Sequence, residues 1–115
     1  MRLYELNLAL VSSGRTHHET LLIEVGGKPK ATNRVELGLY HIGFKIGDIP
    51  YDIKRAHKEL QEKGVTIVGT SDHTITHSIY ILDPDGNELE LYADVLDEWK
   101  KNSKIILTPP KPLDL

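Results

Sequence analysis

The chain reads as an α+β domain: a strand–helix–strand–strand–strand run over residues 38–94, with two further strands ahead of it. Three features predict this. Apolar residues recur at helical spacing over one long stretch, "YDIKRAHKELQEKG". Period-two alternation fills the segments on either side of it. Turn chemistry separates the segments, with Ser-Ser-Gly at 12–14, Gly-Gly at 26–27 and "DPDG" at 83–86.

In order along the chain, "LYELNLALV" carries Tyr4, Leu6, Leu8 and Leu10 at period two and predicts a strand. "HHETLLIEVGG" predicts a second strand ended by glycines, and "KPKATNR" a polar connector. "GLYHIGFKIGD" predicts a third. Tyr40, Ile42, Phe44 and Ile46 fall on one face, and Leu39, His41, Gly43 and Lys45 on the other. The helix is predicted over Tyr51–Lys63, with Ile53, Ala56, His57 and Leu60 on one stripe. Gly64 suits its C-terminal cap and Lys63 its last turn. "VTIVGT", "TITHSIYIL" and "NELELYA" predict three more strands, "VLDEWKKN" a short helix, and "TPPKPLDL" a proline-rich tail with little order of its own. The whole is one domain, divided into 1–27, 38–94 and a C-terminal extension at 95–115.

Composition excludes several functions. With 115 residues, 27% charged and 39% apolar, the chain has the balance of a soluble globular domain. A formal charge of −3 without Lys/Arg runs argues against nucleic acid as partner. No cysteine means no disulfide, thiolate ligand or Cys nucleophile. No apolar run approaches the roughly 18 residues of a membrane span, and the first residues lack a signal-peptide core. A cytoplasmic location is the default expectation.

If the helix covers the face of Ile42, Phe44, Ile79, Ile81, Leu89 and Leu91, alternation sends the neighbours of these residues to the opposite face. That face then holds His41, Ser78, Tyr80, Glu88, Glu90 and Tyr92, from three strands. Imidazole nitrogen and carboxylate oxygen together suit zinc, iron, manganese or nickel. The same residue types also serve as structural hydrogen-bonders or as a solvated sheet face.

"GLYHIGFKI", the helix ending "LQEKGV", and "SDHTITHSIYILDPDGNELELYAD" resemble the second module of the vicinal oxygen chelate superfamily, which includes glyoxalases, bleomycin resistance proteins and extradiol dioxygenases. The likeness is greatest to members of the catechol 2,3-dioxygenase type, through "HH", "SDH" and the final "PLDL", and it covers nearly all of the chain. It implies a βαβββ module, as in glyoxalase and dihydroxybiphenyl dioxygenase, preceded by two strands of an incomplete first module. It implies His41 and Glu90 as metal ligands, Tyr80 as a substrate-binding residue and His73 as an acid/base. His77 falls on the helix side by alternation, and His17 and His18 are further candidates to line the cup. The implied cofactor is Fe(II) or Mn(II), or no metal at all; the implied partners are a catechol-like molecule and a second copy of the chain.

Two positions depart from the family pattern. The opening strand of the first module, which carries another histidine ligand in the family, has no counterpart here, so the chain looks truncated at its N-terminus. Leu21 stands where glyoxalase-like members have a carboxylate, which favours the three-ligand extradiol pattern. Three readings follow: an extradiol dioxygenase, a non-catalytic ligand-binding homodimer, and an inactive truncated member.

Overall fold

The computed structural model describes residues 2–3, 6–27 and 37–115. Tyr4 and the polar connector at 28–34 lie outside the described residues. The elements run β1 (Arg2–Leu3), β2 (Leu6–Val11), β3 (Thr20–Ile23), β4 (Ile42–Gly47), α1 (Pro50–Glu62), β5 (Ile67–Asp72), β6 (Thr76–Leu82) and β7 (Glu88–Asp94). They form two sheets, β1-β2-β3 and β4-β7-β6-β5. In the second sheet β4 pairs parallel with β7, and the β7–β6 and β6–β5 pairs are antiparallel. This is the predicted βαβββ module behind a separate small sheet.

Helix α1 forms one residue earlier than predicted because Pro50 occupies the first turn, where its fixed φ fits and its missing N–H is not needed. Asp52 in that turn suits the helix dipole, and its Oδ2 accepts from Asp48 N–H at 3.1 Å. At the other end Gly64 adopts a φ of 70°, the left-handed conformation that lets the chain turn out of the helix.

The core lies between α1 and one face of the second sheet. Ile53, Ile79, Ile81 and Ala93 are its buried centre, with Ala56, Leu60, Val65, Ile67, Leu89 and Leu91 packed around it. Of these, Ile53, Ala56, Leu60, Ile79, Ile81, Leu89 and Leu91 are positions that the periodicity predicted, whereas Ile42, placed on the same face, is 38% exposed. His77 shares this parity, and its Nε2 lies 3.7 Å from Asp72 Oδ2 on the neighbouring strand.

The prediction is corrected at three places. Tyr40 does not join the face of Ile42 and Phe44: pairing begins at Ile42, so Tyr40 escapes the alternation and is 85% exposed. The helix predicted in "VLDEWKKN" is a single 3₁₀ turn at Glu98–Lys100, followed by a second at Ser103–Leu107. The C-terminal tail is ordered by contacts with the sheet. Edge strand β5 presents free backbone groups, and Asp72 and Lys111 exchange hydrogen bonds of 2.9 and 2.7 Å. Pro110 and Pro112 cannot donate, so the bridge stays local to Lys111. Thr70 Oγ1 donates to the Leu113 carbonyl at 3.1 Å, and Leu113 and Leu115 join the core.

Among the described residues the small sheet has no such cover. In its β2–β3 hairpin Leu8 pairs with Ile23 and Leu10 with Leu21 on one face, and Ala9 pairs with Leu22 on the other. Leu10, Val11, Leu21, Leu22 and Ile23 are all exposed.

Ile53 is the point where helix and sheet meet, and it is fully buried. Ile53→Ala is expected to lower unfolding free energy by about 2–5 kcal/mol in a urea titration, through lost burial and the cavity left behind.

Candidate functional site

Alternation along β6 and β7 gives the sheet a polar face opposite α1. In the register Tyr80 stands beside Glu90, and Ser78 beside Tyr92. On the other side of β7, Gly43 stands beside Glu90. A Cβ at Gly43 would lie 3.2 Å from the Tyr92 ring and 3.7 Å from Glu90 Oε2, so the glycine leaves room for both side chains.

His41 and Glu90, both proposed as ligands from the resemblance, are brought together. His41 Nε2 lies 2.7 Å from Glu90 Oε2, with the two side chains 33% and 16% exposed. The other oxygen, Oε1, accepts from the hydroxyl of Ser78, which is fully buried. Glu90 is thus held by both oxygens.

His73 and Tyr80 are also brought together, with His73 Nε2 2.6 Å from the Tyr80 hydroxyl. Their rings meet edge to face at 6.3 Å, and the Tyr80 ring lies 6.2 Å from that of His41. Burial, and then the charge of Glu90, push the Tyr80 hydroxyl above its ordinary range, so it is a neutral hydrogen-bonding group at neutral pH.

His41, His73, Tyr80 and Glu90 line a cavity of about 850 Å³. Its walls include Tyr40, Tyr92, Trp99, Ile106 and Pro110, and the carboxylates Glu88 and Asp94. Asp94 is shared with Lys45, whose Nζ reaches it at 3.0 Å and Asp48 at 2.6 Å. Among the described residues no Lys or Arg lines the cavity. His17 and His18 are elsewhere, exposed in the β2–β3 connection with their Nδ1 atoms facing each other.

Sequence reasoning put Ser78 and Tyr92 on this face but gave them no role; alternation in "HSIYIL" and "ELELY" was the available signal. It missed Trp99, Ile106 and Pro110, which come from the segment after β7, where no period marks a face. Chemically, the site offers one nitrogen and one oxygen donor side by side, with a neutral phenol and an imidazole across an aromatic-walled space.

Ser78→Ala would strip the donor from Glu90 Oε1 in a half-buried site. Urea unfolding is expected to show a loss of about 1–3 kcal/mol, the cost of leaving such an acceptor unpaired.

Residues 3–91 match the Glyoxalase/Bleomycin resistance protein/Dioxygenase superfamily. The chain is 40% identical over 57 residues to catechol-2,3-dioxygenase of Bacillus subtilis (strain 168), covering 50% of this chain and 19% of that protein. It is 30% identical over 89 residues to biphenyl-2,3-diol 1,2-dioxygenase 3 of Rhodococcus globerulus, covering 76% of this chain and 46% of the relative. The chain therefore spans less than half the length of these relatives. Among solved structures, the fosfomycin resistance protein FosX from Mesorhizobium loti superposes with a TM-score of 0.49 at 22% identity, over 77% of this chain and 73% of that one. With a βαβββ module carrying His41 and Glu90 on its polar face, and a match over most of its length, the chain belongs to the Glyoxalase/Bleomycin resistance protein/Dioxygenase superfamily.

Proposed function

We propose that the cavity is a metal-dependent site for a vicinal aromatic diol, of the kind that opens a catechol ring beside its hydroxyls. The observation that supports this reading is the His41–Glu90 pair at 2.7 Å, sharing one cavity with the His73–Tyr80 pair. The names of the relatives, dioxygenases of catechol and of biphenyl-2,3-diol, point the same way.

The donor set fits two positions of a divalent ion such as Fe(II) or Mn(II), through His41 Nε2 and Glu90 Oε2. Among the described residues no three His, Asp or Glu stand close enough to hold one ion, so the donor set they supply is incomplete. When bound, such an ion supplies positive charge for the two hydroxyl oxygens of the diol. The chain's own residues do the rest. Ser78 fixes Glu90 so that Oε2 faces His41. Tyr80, kept neutral, offers its hydroxyl to a diol oxygen. His73, beside that hydroxyl, holds or accepts the proton that leaves. Tyr40 and Trp99 flank the ring and exclude water. In this reading residues 38–94 are the working module, 1–27 a partial companion module, and 95–115 a wall of the site.

The working unit is a homodimer. The hairpin β2–β3 exposes aliphatic side chains on both faces, more than a single copy leaves to water without cost. A second copy would cover one face and bring further donors, His17 and His18 included, toward a cavity. The incomplete donor set favours a second reading, a non-catalytic dimer that binds an aromatic ligand without metal.

Light scattering is expected to give a mass near twice the chain's 13.0 kDa; a monodisperse monomer at micromolar concentration would count against the dimer. After anaerobic loading with Fe(II), wild type is expected to retain metal and consume oxygen when a catechol is added. Glu90→Ala is expected to lose both, and Glu88→Ala to keep most of each. Wild-type protein that holds no metal, yet is stabilised against heat by the diol alone, supports the non-catalytic reading instead.

A further inference from the structure

Two energetic penalties meet at one residue beside this site. Thr74 has a φ of 73°, and among the described residues no other residue but glycine has a positive φ. A β-branched side chain is poorly tolerated there. The Thr74 hydroxyl oxygen is buried and has no hydrogen-bond partner among the described residues, a second cost. Across Thr74 the Ile75 N–H donates to the His73 carbonyl at 2.9 Å. With positive φ at its centre this is the rare, strained form of γ-turn. Glycine would take this backbone without the steric cost, and would leave no hydroxyl to bury.

The strained turn is held from every side. Asp72 Oδ1 accepts from Thr74 N–H at 2.8 Å. His73 N–H donates to the Thr76 carbonyl at 2.8 Å, which closes the β5–β6 hairpin. The Ile75 carbonyl accepts from Val95 N–H at 2.8 Å and from Leu96 N–H at 3.3 Å. Asp72 is tied in turn to Lys111 through its own N–H and carbonyl. Strain of this kind survives only where the surroundings over-determine the backbone, and it gathers at working sites. Here the working groups are adjacent: the turn begins at His73, whose Nε2 lies 2.6 Å from the Tyr80 hydroxyl.

We propose that Thr74 is a positioning residue, its clamped and conformationally narrow turn holding the His73 imidazole on Tyr80. The proposal rests on the reading of His73 and Tyr80 as the proton-handling pair. A glycine at 74 would admit many loop conformations and release the ring; threonine, once clamped, admits one. The strain at Thr74 is offset by the bonds that Asp72, Thr76 and Val95 make to the turn.

The test uses nitrogen-15 spectra of the imidazole rings in the full chain. His73 signals are identified by their loss in His73→Gln, and Tyr80→Phe defines their position without the hydrogen bond. In Thr74→Gly the His73 signals are expected to move to the Tyr80→Phe position, while the thermal midpoint stays at or above that of wild type. Asp72→Ala, which removes the acceptor for Thr74 N–H, is expected to move the same signals with a lower midpoint. His73 signals that stay at the wild-type position in Thr74→Gly would overturn the proposal, as would a fall in that variant's midpoint. Because the readout needs neither metal nor oxygen uptake, an inert wild type whose His73 signals still move in Thr74→Gly upholds the positioning role and removes only the dioxygenase reading.

Discussion

Strand β7 sits between a parallel neighbour and an antiparallel one, and its alternation sets everything around it. Leu89, Leu91 and Ala93 face α1, while Glu88, Glu90 and Tyr92 face the cavity. A slip of one residue in either pairing would reverse this, placing a carboxylate against Ile53 and leucines in the cavity. Burying Glu90 among aliphatic side chains without a partner carries a larger penalty than exposing a leucine to water. The apolar packing beneath the sheet therefore fixes the position of the polar groups above it. The polar face is well defined because the other face is a core.

The polar face satisfies its own hydrogen bonds. Glu90 uses one oxygen for Ser78 and the other for His41, and Tyr80 is matched by His73. Partly buried polar groups of this kind are tolerable only when paired. Each pair also presents chemistry: the first brings nitrogen and oxygen donors together, and the second couples a phenol to an imidazole. Gly43 contributes by having no side chain where Tyr92 and Glu90 come close. The Lys45–Asp48 bridge, open to solvent, adds little to stability.

The two sheets differ in how their apolar surface is handled. The second has α1 on one side and the tail along its edge, so its aliphatic residues are mostly covered. The tail also explains the cavity's far wall, since docking Lys111 on Asp72 carries Ile106 and Pro110 to the mouth of the site. One edge contact thus links three features: the end of β5, the strained turn at Thr74, and the wall of the cavity. The first sheet holds a hairpin, β2–β3, of the same aliphatic character, and among the described residues no helix lies on either of its faces.

Periodicity made most of the fold legible. The helix, the seven-residue runs of β6 and β7, and the side of the sheet on which His41, Tyr80 and Glu90 stand all follow from residue spacing, because side-chain direction in regular elements is local geometry. Resemblance to a family singled out His41 and Glu90 from other residues of their face. What spacing could not show was anything made by contact between distant segments. Tyr40 left its expected face because pairing with β7 starts only at Ile42. Ser78 became the support for Glu90 only once β6 and β7 were in register. The proline-rich tail has no repeating pattern to read, and its order comes from the free edge of β5 and from a core that accepts Leu113 and Leu115. Thr74 is the plainest case: its side chain argues against the backbone it adopts, and only bonds from Asp72, Thr76 and Val95 hold it there. The sequence by itself determined which residues share a face, since that depends on the local repeat. The tertiary structure decided which of them touch and which backbone is strained, because those depend on energies shared among segments far apart in the chain.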